Sequence, residues 1–323
     1  MAKILVTGGA GYIGSFMVRG LLEKGYEVVV LDSLERGNPD VIPENVSFYK
    51  GKVGDWELLE KIAQENPFEA VIHFAGYISM KESMENPSLY FEQNTYQTLQ
   101  FLENLKNLDK KYIIFSSTAG VYGNPERVPI HEDDRKDPTN PYGESKLMVE
   151  RILYWYNKIY SVNYAVLRYF NACGASLDGS FGEKHTPETH IIPVALQALK
   201  EEKEFILYGT DYNTPDGTCV RDYVHVLDLV NAHMLALEKI LNNPGGYTYN
   251  VGTGKGYSNR EIVGMIEEVT GRKLNYGERE RRPGDADELV ADVTRIKDDL
   301  GFEPQYSDLK TIIETAWKWH NKV

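Results

Sequence analysis

The chain has 323 residues, and its 35 Lys+Arg against 48 Asp+Glu leave a formal charge of −13 with 42% hydrophobic residues. That composition excludes a disordered chain, and the negative field repels nucleic acid and anionic lipid, so a phosphate-bearing ligand must be held by local basic groups and backbone dipoles. The two cysteines, Cys173 and Cys219, exclude a disulfide-stapled miniprotein, fit neither a zinc site nor a redox CxxC, and favour a reducing compartment. No apolar run approaches the roughly 18 residues that span a bilayer, and the start MAKILVTGG meets glycines too early for a signal peptide. The expected setting is cytoplasmic, without a nucleic-acid or membrane partner.

Buried strands are predicted at Lys3 to Thr7, Glu27 to Asp32, Val46 to Lys50, Ala70 to Phe74, Tyr112 to Ser116 and Asn163 to Arg168. Between them the spacing predicts helices near Ile13 to Lys24, Asp55 to Asn66, Pro87 to Asn107 and Pro141 to Ile159, with Asp55 and Asn140 as N-caps and Gly25 as a stop. This alternation predicts an α/β chain with a doubly wound parallel sheet of Rossmann type. From Asn171 to Thr189 no period is evident, and the segment reads as a long loop of the kind that carries function. Helices follow at Val226 to Leu241, Ser258 to Thr270 and Asp308 to Trp319, with a strand at Tyr247 to Val251. The expected organisation is a dinucleotide-binding domain over 1–170, to which 222–251 returns, and a smaller interleaved α/β substrate domain mainly over 171–323.

The first strand runs directly into TGGAGYIG, with Gly8, Gly11 and Gly14 three residues apart and an amphipathic helix following. Glycines let such a turn form without Cβ clashes, and a helix N-terminus offers free N–H groups and a positive dipole end to a pyrophosphate. Asp32 closes the second strand, where a carboxylate accepts from both adenosine ribose hydroxyls and repels a 2′-phosphate. Taken alone, a glycine triplet is often just a turn; strand, helix and acid in this order point to NAD. Arg36 argues for NADP, but Asp32 stands closer to the strand end.

Tyr142 and Lys146, in PYGESK, are four apart on a predicted helix and share one face. A free phenol, with a pKa of about 10, is protonated at neutral pH, and a neighbouring cation lowers an acid's pKa by roughly one to three units. Lys146 and a nicotinamide cation together bring Tyr142 toward the range of a general base. Ser116, Ser117 and Thr118 end the fifth strand, at the edge where doubly wound sheets bind ligands. Singly, each is unremarkable: the chain has 22 tyrosines, and a Ser/Thr cluster often only caps a strand.

With HFAG (His73 to Gly76), Asn94, VYG (Val121 to Gly123), LRYFN (Leu167 to Asn171), GTCVRDYVHVLDL (Gly217 to Leu229) and RRPGD (Arg281 to Asp285) added, the sequence resembles the extended short-chain dehydrogenase/reductases over nearly its whole length, and among them the UDP-glucose (UDP-galactose) 4-epimerases. The resemblance implies Thr118 as active-site hydroxyl, Tyr142 as base and Lys146 as its charge-supplying partner. It implies an NAD site formed by Gly8, Gly11, Tyr12, Ile13, Gly14, Asp32, Ser33, Val53, Phe74, Ala75, Gly76, Asn94, Ser116, Tyr142, Lys146 and Tyr169. For a UDP-sugar it implies Thr118, Tyr142, Asn171, His190, Ile191, Tyr208, Arg221, Arg282, Asp285 and Leu289, with the arginines facing the diphosphate, Asp285 the ribose and Tyr208 the uracil. Guanidinium forks suit that role because they stay charged when desolvated. Lys52, Ile78 and His190 depart from residues common in the family.

Related dehydratases carry Asp-Glu or Glu between the hydroxyl and VYG, and decarboxylases a Glu; here Ala119 and Gly120 stand there and neither moves a proton. The implied reaction is reversible C4 inversion of UDP-glucose and UDP-galactose through a 4-ketose. One alternative is a UDP-sugar 4-epimerase for N-acetylhexosamines, uronic acids or pentoses, with Leu289 at the pocket-width position; another is a non-catalytic NAD-sensing module. His185 and His190, five apart, lack further ligands for a metal, and none is expected. The resemblance also implies a homodimer through the helices containing Phe91 to Leu102 and Leu147 to Ile159; the aromatic cluster Tyr154, Trp155, Tyr156 and Tyr160 reads as core or subunit interface.

Overall fold

In the computed structural model, which describes residues 2–184, 188–281 and 285–322, the chain alternates strand and helix from its start. The first half runs β1 (Lys3–Thr7), α1 (Tyr12–Glu23), β2 (Glu27–Asp32), β3 (Ser47–Lys50), α2 (Trp56–Glu65), β4 (Ala70–His73), α3 (Met80–Glu85), α4 (Pro87–Tyr90), a π-helical segment (Phe91–Tyr96), α5 (Gln97–Asn107), β5 (Tyr112–Thr118), α6 (Pro141–Tyr160) and β6 (Asn163–Tyr169). Then follow β7 (Asn171–Cys173), α7 (Ile191–Lys200), β8 (Phe205–Tyr208), β9 (Val220–His225), α8 (Val226–Asn242), β10 (Gly246–Val251), β11 (Gly256–Ser258), α9 (Asn259–Thr270), β12 (Tyr276–Arg279), β13 (Glu288–Leu289), α10 (Thr294–Leu300) and α11 (Leu309–His320).

The seven-stranded sheet has the order β10-β6-β5-β4-β1-β2-β3. Its pairings β1·β2, β1·β4, β2·β3 and β4·β5 are parallel, with Leu5 opposite Val29 and Val71. Apolar residues on successive positions suit strands covered on both faces, and β4 is buried along its whole length. Leu5, Val29 and Val71 pack with Phe101, Phe115 and Val149 in one core cluster. Because the chain proceeds from β1 to β2 and β3 on one side and then crosses to β4 on the other, strand order reverses at β1, the place where such sheets open a ligand crevice.

Helix starts follow the predicted caps. Asp55 accepts the Leu58 N–H and Asn140 the Gly143 N–H, while Ser258 and Glu261 form a reciprocal capping box. Gly25 takes φ +83° and donates to the Leu22 carbonyl just beyond α1. Two expectations are corrected. The stretch 87–107 is interrupted by the π-helical segment, whose Asn94 amide holds the Tyr77 N–H, the Tyr77 carbonyl and the Ser145 hydroxyl; a long-range bond of that kind leaves no trace in helical spacing. The stretch 171–189 is not loop from its start, because Asn171–Cys173 pairs in parallel with Tyr223–His225. Three residues are too few to show alternation.

The chain divides into two compact units, one comprising 1–123, 136–168 and 230–249 and the other 124–135, 169–229 and 250–323. The second unit has its own apolar core, including Leu196, Phe205, Tyr223, Ile262, Ile266 and Ile312. Among the described residues no helix is long and apolar enough to cross a membrane.

Backbone packs closely in the glycine turn, where a Cβ on Gly14 would stand 2.2 Å from the Gly8 carbonyl oxygen. Gly14→Ala is expected to destabilise the protein by about 1–3 kcal/mol, as an overpacked site does. Urea unfolding checks this; an unchanged midpoint would show that the turn yields freely.

Candidate active site

At the end of β1, Gly8 adopts φ +72° and donates to the Leu31 carbonyl at 2.9 Å. A Cβ there would lie 2.6 Å from the Ala75 nitrogen, so β1 and the Phe74–Gly76 segment after β4 touch backbone to backbone. Gly11 is the N-cap of α1 without any side-chain cap bond, no acid occupies the first turn, and Tyr12, Ile13 and Gly14 form it. The first turn thus carries no acid of its own against the positive end of the helix dipole, which suits the pyrophosphate expected there. Val53 is buried, and the Phe74 ring packs against His233 at 4.8 Å between centroids.

Asp32 accepts the Ala10 N–H at 2.9 Å and the Leu34 N–H at 2.8 Å; burial raises its pKa and these bonds oppose the rise. Ser33 accepts the Glu35 N–H at 3.3 Å. Arg36 is committed elsewhere, bonded to Glu82 at 2.5 Å with its guanidinium 4.9 Å from the Tyr77 ring centroid. Lys52 is bound by Glu35 at 3.2 Å and by Gln93 at 3.3 Å, and Ile78 is exposed.

The N-terminal turn of α6 brings the predicted reacting groups together. Lys146 Nζ donates to the Ser116 carbonyl at 2.9 Å, and the Thr118 hydroxyl accepts the Gly120 N–H at 3.0 Å while bonding the Tyr142 phenol. Burial raises the Tyr142 pKa and the Thr118 bond works against it; burial lowers Lys146 to about 8, with Glu150 pulling it back. Ala119 is buried, and the Gly120 carbonyl lies 2.6 Å from where a Gly143 Cβ would be, so this loop lies directly on α6 and holds no acid. Ser117 turns the other way, its hydroxyl donating to Glu150 at 2.5 Å.

The second unit gathers several residues expected for the nucleotide sugar. Arg221 on β9 stands opposite Leu289 of β13, its Nη2 3.8 Å from Asp285, and Tyr212 reaches the same carboxylate at 3.5 Å. Asn171 lies opposite Tyr223 on β7, Tyr208 ends β8 half-exposed, and Tyr169 is buried. Ile191 begins α7 and His190 is its N-cap. Arg282 lies outside the described residues, as does His185.

Sequence reasoning missed four charged groups. His190 Nδ1 sits 2.9 Å from Glu183 and 3.0 Å from Glu188; burial lowers its basicity, but the two carboxylates outweigh burial and raise its pKa to about 10. The three side chains have the composition of a metal cluster, and a protonated ring between the two acids offsets one of their two negative charges. Glu150 and Arg168 form a buried pair at 2.6 Å. The signal for Glu150 was its place four residues after Lys146, on the same face of the helix.

The sequence matches the NAD dependent epimerase/dehydratase family over residues 4–252. The chain belongs to that family. It is 47% identical to the UDP-glucose 4-epimerase of Streptococcus mutans over 98% of this chain and 96% of that protein. The crystal structure of the UDP-glucose 4-epimerase from Brucella ovis in complex with NAD has a TM-score of 0.95 at 43% identity, covering 98% of each chain. The enzyme from Bifidobacterium longum in complex with NAD+ and UDP has a TM-score of 0.92 at 38% identity, covering 99% of this chain and 98% of that one.

The family's HFAG histidine has a structural part here. His73 is fully buried between Thr7 (2.7 Å) and Thr98 (3.1 Å), and burial, helped by the Lys146 charge, lowers its pKa to about 3. A folded pKa below the ordinary 6.5 means that the unfolded chain binds the proton first, so this stability is present above pH 6.5 and lost as pH falls toward 3. The stability advantage of wild type over His73→Asn should shrink by up to about 1.4 kcal/mol per pH unit below 6.5. Urea titrations at stepped pH check it, and a constant difference would show His73 to be protonated when folded.

Proposed function

We propose that the protein interconverts UDP-glucose and UDP-galactose by inverting C4, with NAD as its resident cofactor. The observation that carries this reading is the bonded pair Tyr142–Thr118 with Lys146 one helical turn on, beside a loop that holds Ala119 and Gly120 where an eliminating enzyme needs an acid. The glycine turn, the uncapped start of α1 and Asp32 fit NAD: the turn leaves room only for backbone, the helix end is positive, and Arg36 is engaged by Glu82 instead of awaiting a 2′-phosphate.

Bound NAD supplies a reversible acceptor for the hydride at the sugar C4. Tyr142, ionised with the help of the Lys146 charge, takes the 4-hydroxyl proton, and Thr118 bridges phenol and sugar oxygen by hydrogen bonds. Because Tyr142 raised by burial is a weak acid by itself, the cation beside it is what makes the base available near neutral pH. Arg221 and Arg282 hold the diphosphate, Asp285 the ribose and Tyr208 the uracil, with Asn171, His190, Ile191 and Leu289 completing the UDP-sugar contacts. Firm binding of UDP with few contacts to the hexose would let the sugar ring turn and present either face to Tyr142 and Thr118.

The first unit also carries exposed apolar side chains at Tyr96, Tyr154, Trp155 and Ile159, on and beside α5 and α6. Exposed aromatics in such a group mark association, and they support a homodimer through these helices. Cys173 and Cys219 are buried and form no disulfide, which agrees with a cytoplasmic protein.

Purified protein given UDP-galactose without added NAD should form UDP-glucose, and Tyr142→Phe should lower turnover by roughly 10²–10⁴-fold with UDP affinity little changed. A Tyr142→Phe enzyme at the wild-type rate would exclude Tyr142 as base. Sedimentation at micromolar concentration should show a dimer that Trp155→Glu converts to monomer; a monomeric wild type would remove the dimer.

A further inference from the structure

The Glu150–Arg168 pair lies wholly within the first unit and has no part in the proton transfers described above. Arg168 Nε reaches Glu150 Oε1 at 3.0 Å and its Nη2 reaches Oε2 at 2.6 Å, a two-pronged contact between side chains 5% and 8% exposed. Its Nη1 donates to the Tyr122 hydroxyl at 2.8 Å, and Glu150 Oε1 also accepts the Ser117 hydroxyl. Desolvation of a buried pair of this kind offsets most of its attraction, so packed apolar side chains would stabilise the fold about as well. The charge calls for another explanation, and its position provides one.

Glu150 follows Lys146 by one turn and Tyr142 by two on α6. The other groups around Lys146 are the Ser116 carbonyl and the Phe115 ring of β5, the latter 5.0 Å from Nζ. From β4 comes His73, held neutral; from the π-helical segment comes the Asn94 amide, whose oxygen lies with Nζ around Gly76; and from α6 itself comes the half-buried Tyr142. Glu150 is the anion in this set that opposes the discharge of Lys146 by burial. Through Ser117 the same carboxylate holds β5 between Ser116, which anchors the lysine, and Thr118, which bonds the phenol.

We propose that Glu150, clamped by Arg168, is a positioning residue for the epimerisation: it keeps Lys146 cationic and sets the end of β5 against Tyr142. This rests on the reading of the site given above. The test is the pH dependence of UDP-galactose turnover by the holoenzyme for wild type, Glu150→Gln and the double variant Glu150→Met/Arg168→Met. Glu150→Gln should lower kcat near pH 7 by about tenfold and move the ascending limb alkaline by about one unit, with KM changed less than about threefold. The double variant should recover the thermal midpoint without recovering the rate or the limb, which separates positioning from packing. If Glu150→Gln does not fold, the double variant decides: a displaced profile supports the proposal and a wild-type profile overturns it. A Glu150→Gln profile superposable on wild type overturns it too, whereas absence of turnover in wild type would instead reject the epimerase reading.

Discussion

A phenol can serve as a base near neutral pH only if a cation stands beside it, and burying that cation tends to discharge it. The site resolves this conflict through α6. Tyr142 and Lys146 rise from one face of a helix whose start is fixed by Asn140 and by the Gly120–Gly143 contact. The lysine is tied to a main-chain carbonyl, which gives its ammonium a defined place without adding an anion at the reacting atoms. Burial of Lys146 keeps water from screening its charge, which therefore acts on the phenol more strongly than it would at the surface.

The same economy of space governs the glycine turn. β1 and the segment after β4 meet backbone to backbone at Gly8 and Ala75, at the point where strand order reverses. Any side chain at these glycines would separate the strands or close the approach to α1. The turn, the helix dipole and Asp32 thus form one arrangement whose parts are set by a single close contact.

Much of this was legible because it is local. Strand runs, caps such as Asp55 and Asn140, the three-residue glycine spacing and the four-residue Tyr142–Lys146 spacing each express one element's geometry. Asn94 was legible as a site residue through resemblance, but its π-helical setting was not, since the bonds to Tyr77 and Ser145 join distant segments. The strand Asn171–Cys173 was hidden for the same reason: its partner is some fifty positions away.

The sequence by itself determined the alternating strands and helices, the phosphate turn with its acid, the phenol–lysine face and the absence of an eliminating acid at 119 and 120, because spacing along one strand or helix dictates which side chains share a face. Only the tertiary structure decided which charges oppose which. That Glu150 is clamped by Arg168, that Ser117 faces away from Tyr142, and that His190 is held protonated by Glu183 and Glu188 all depend on burial and on distances between segments. Electrostatic energy is set by those distances and by exclusion of water, neither of which is written in the order of residues.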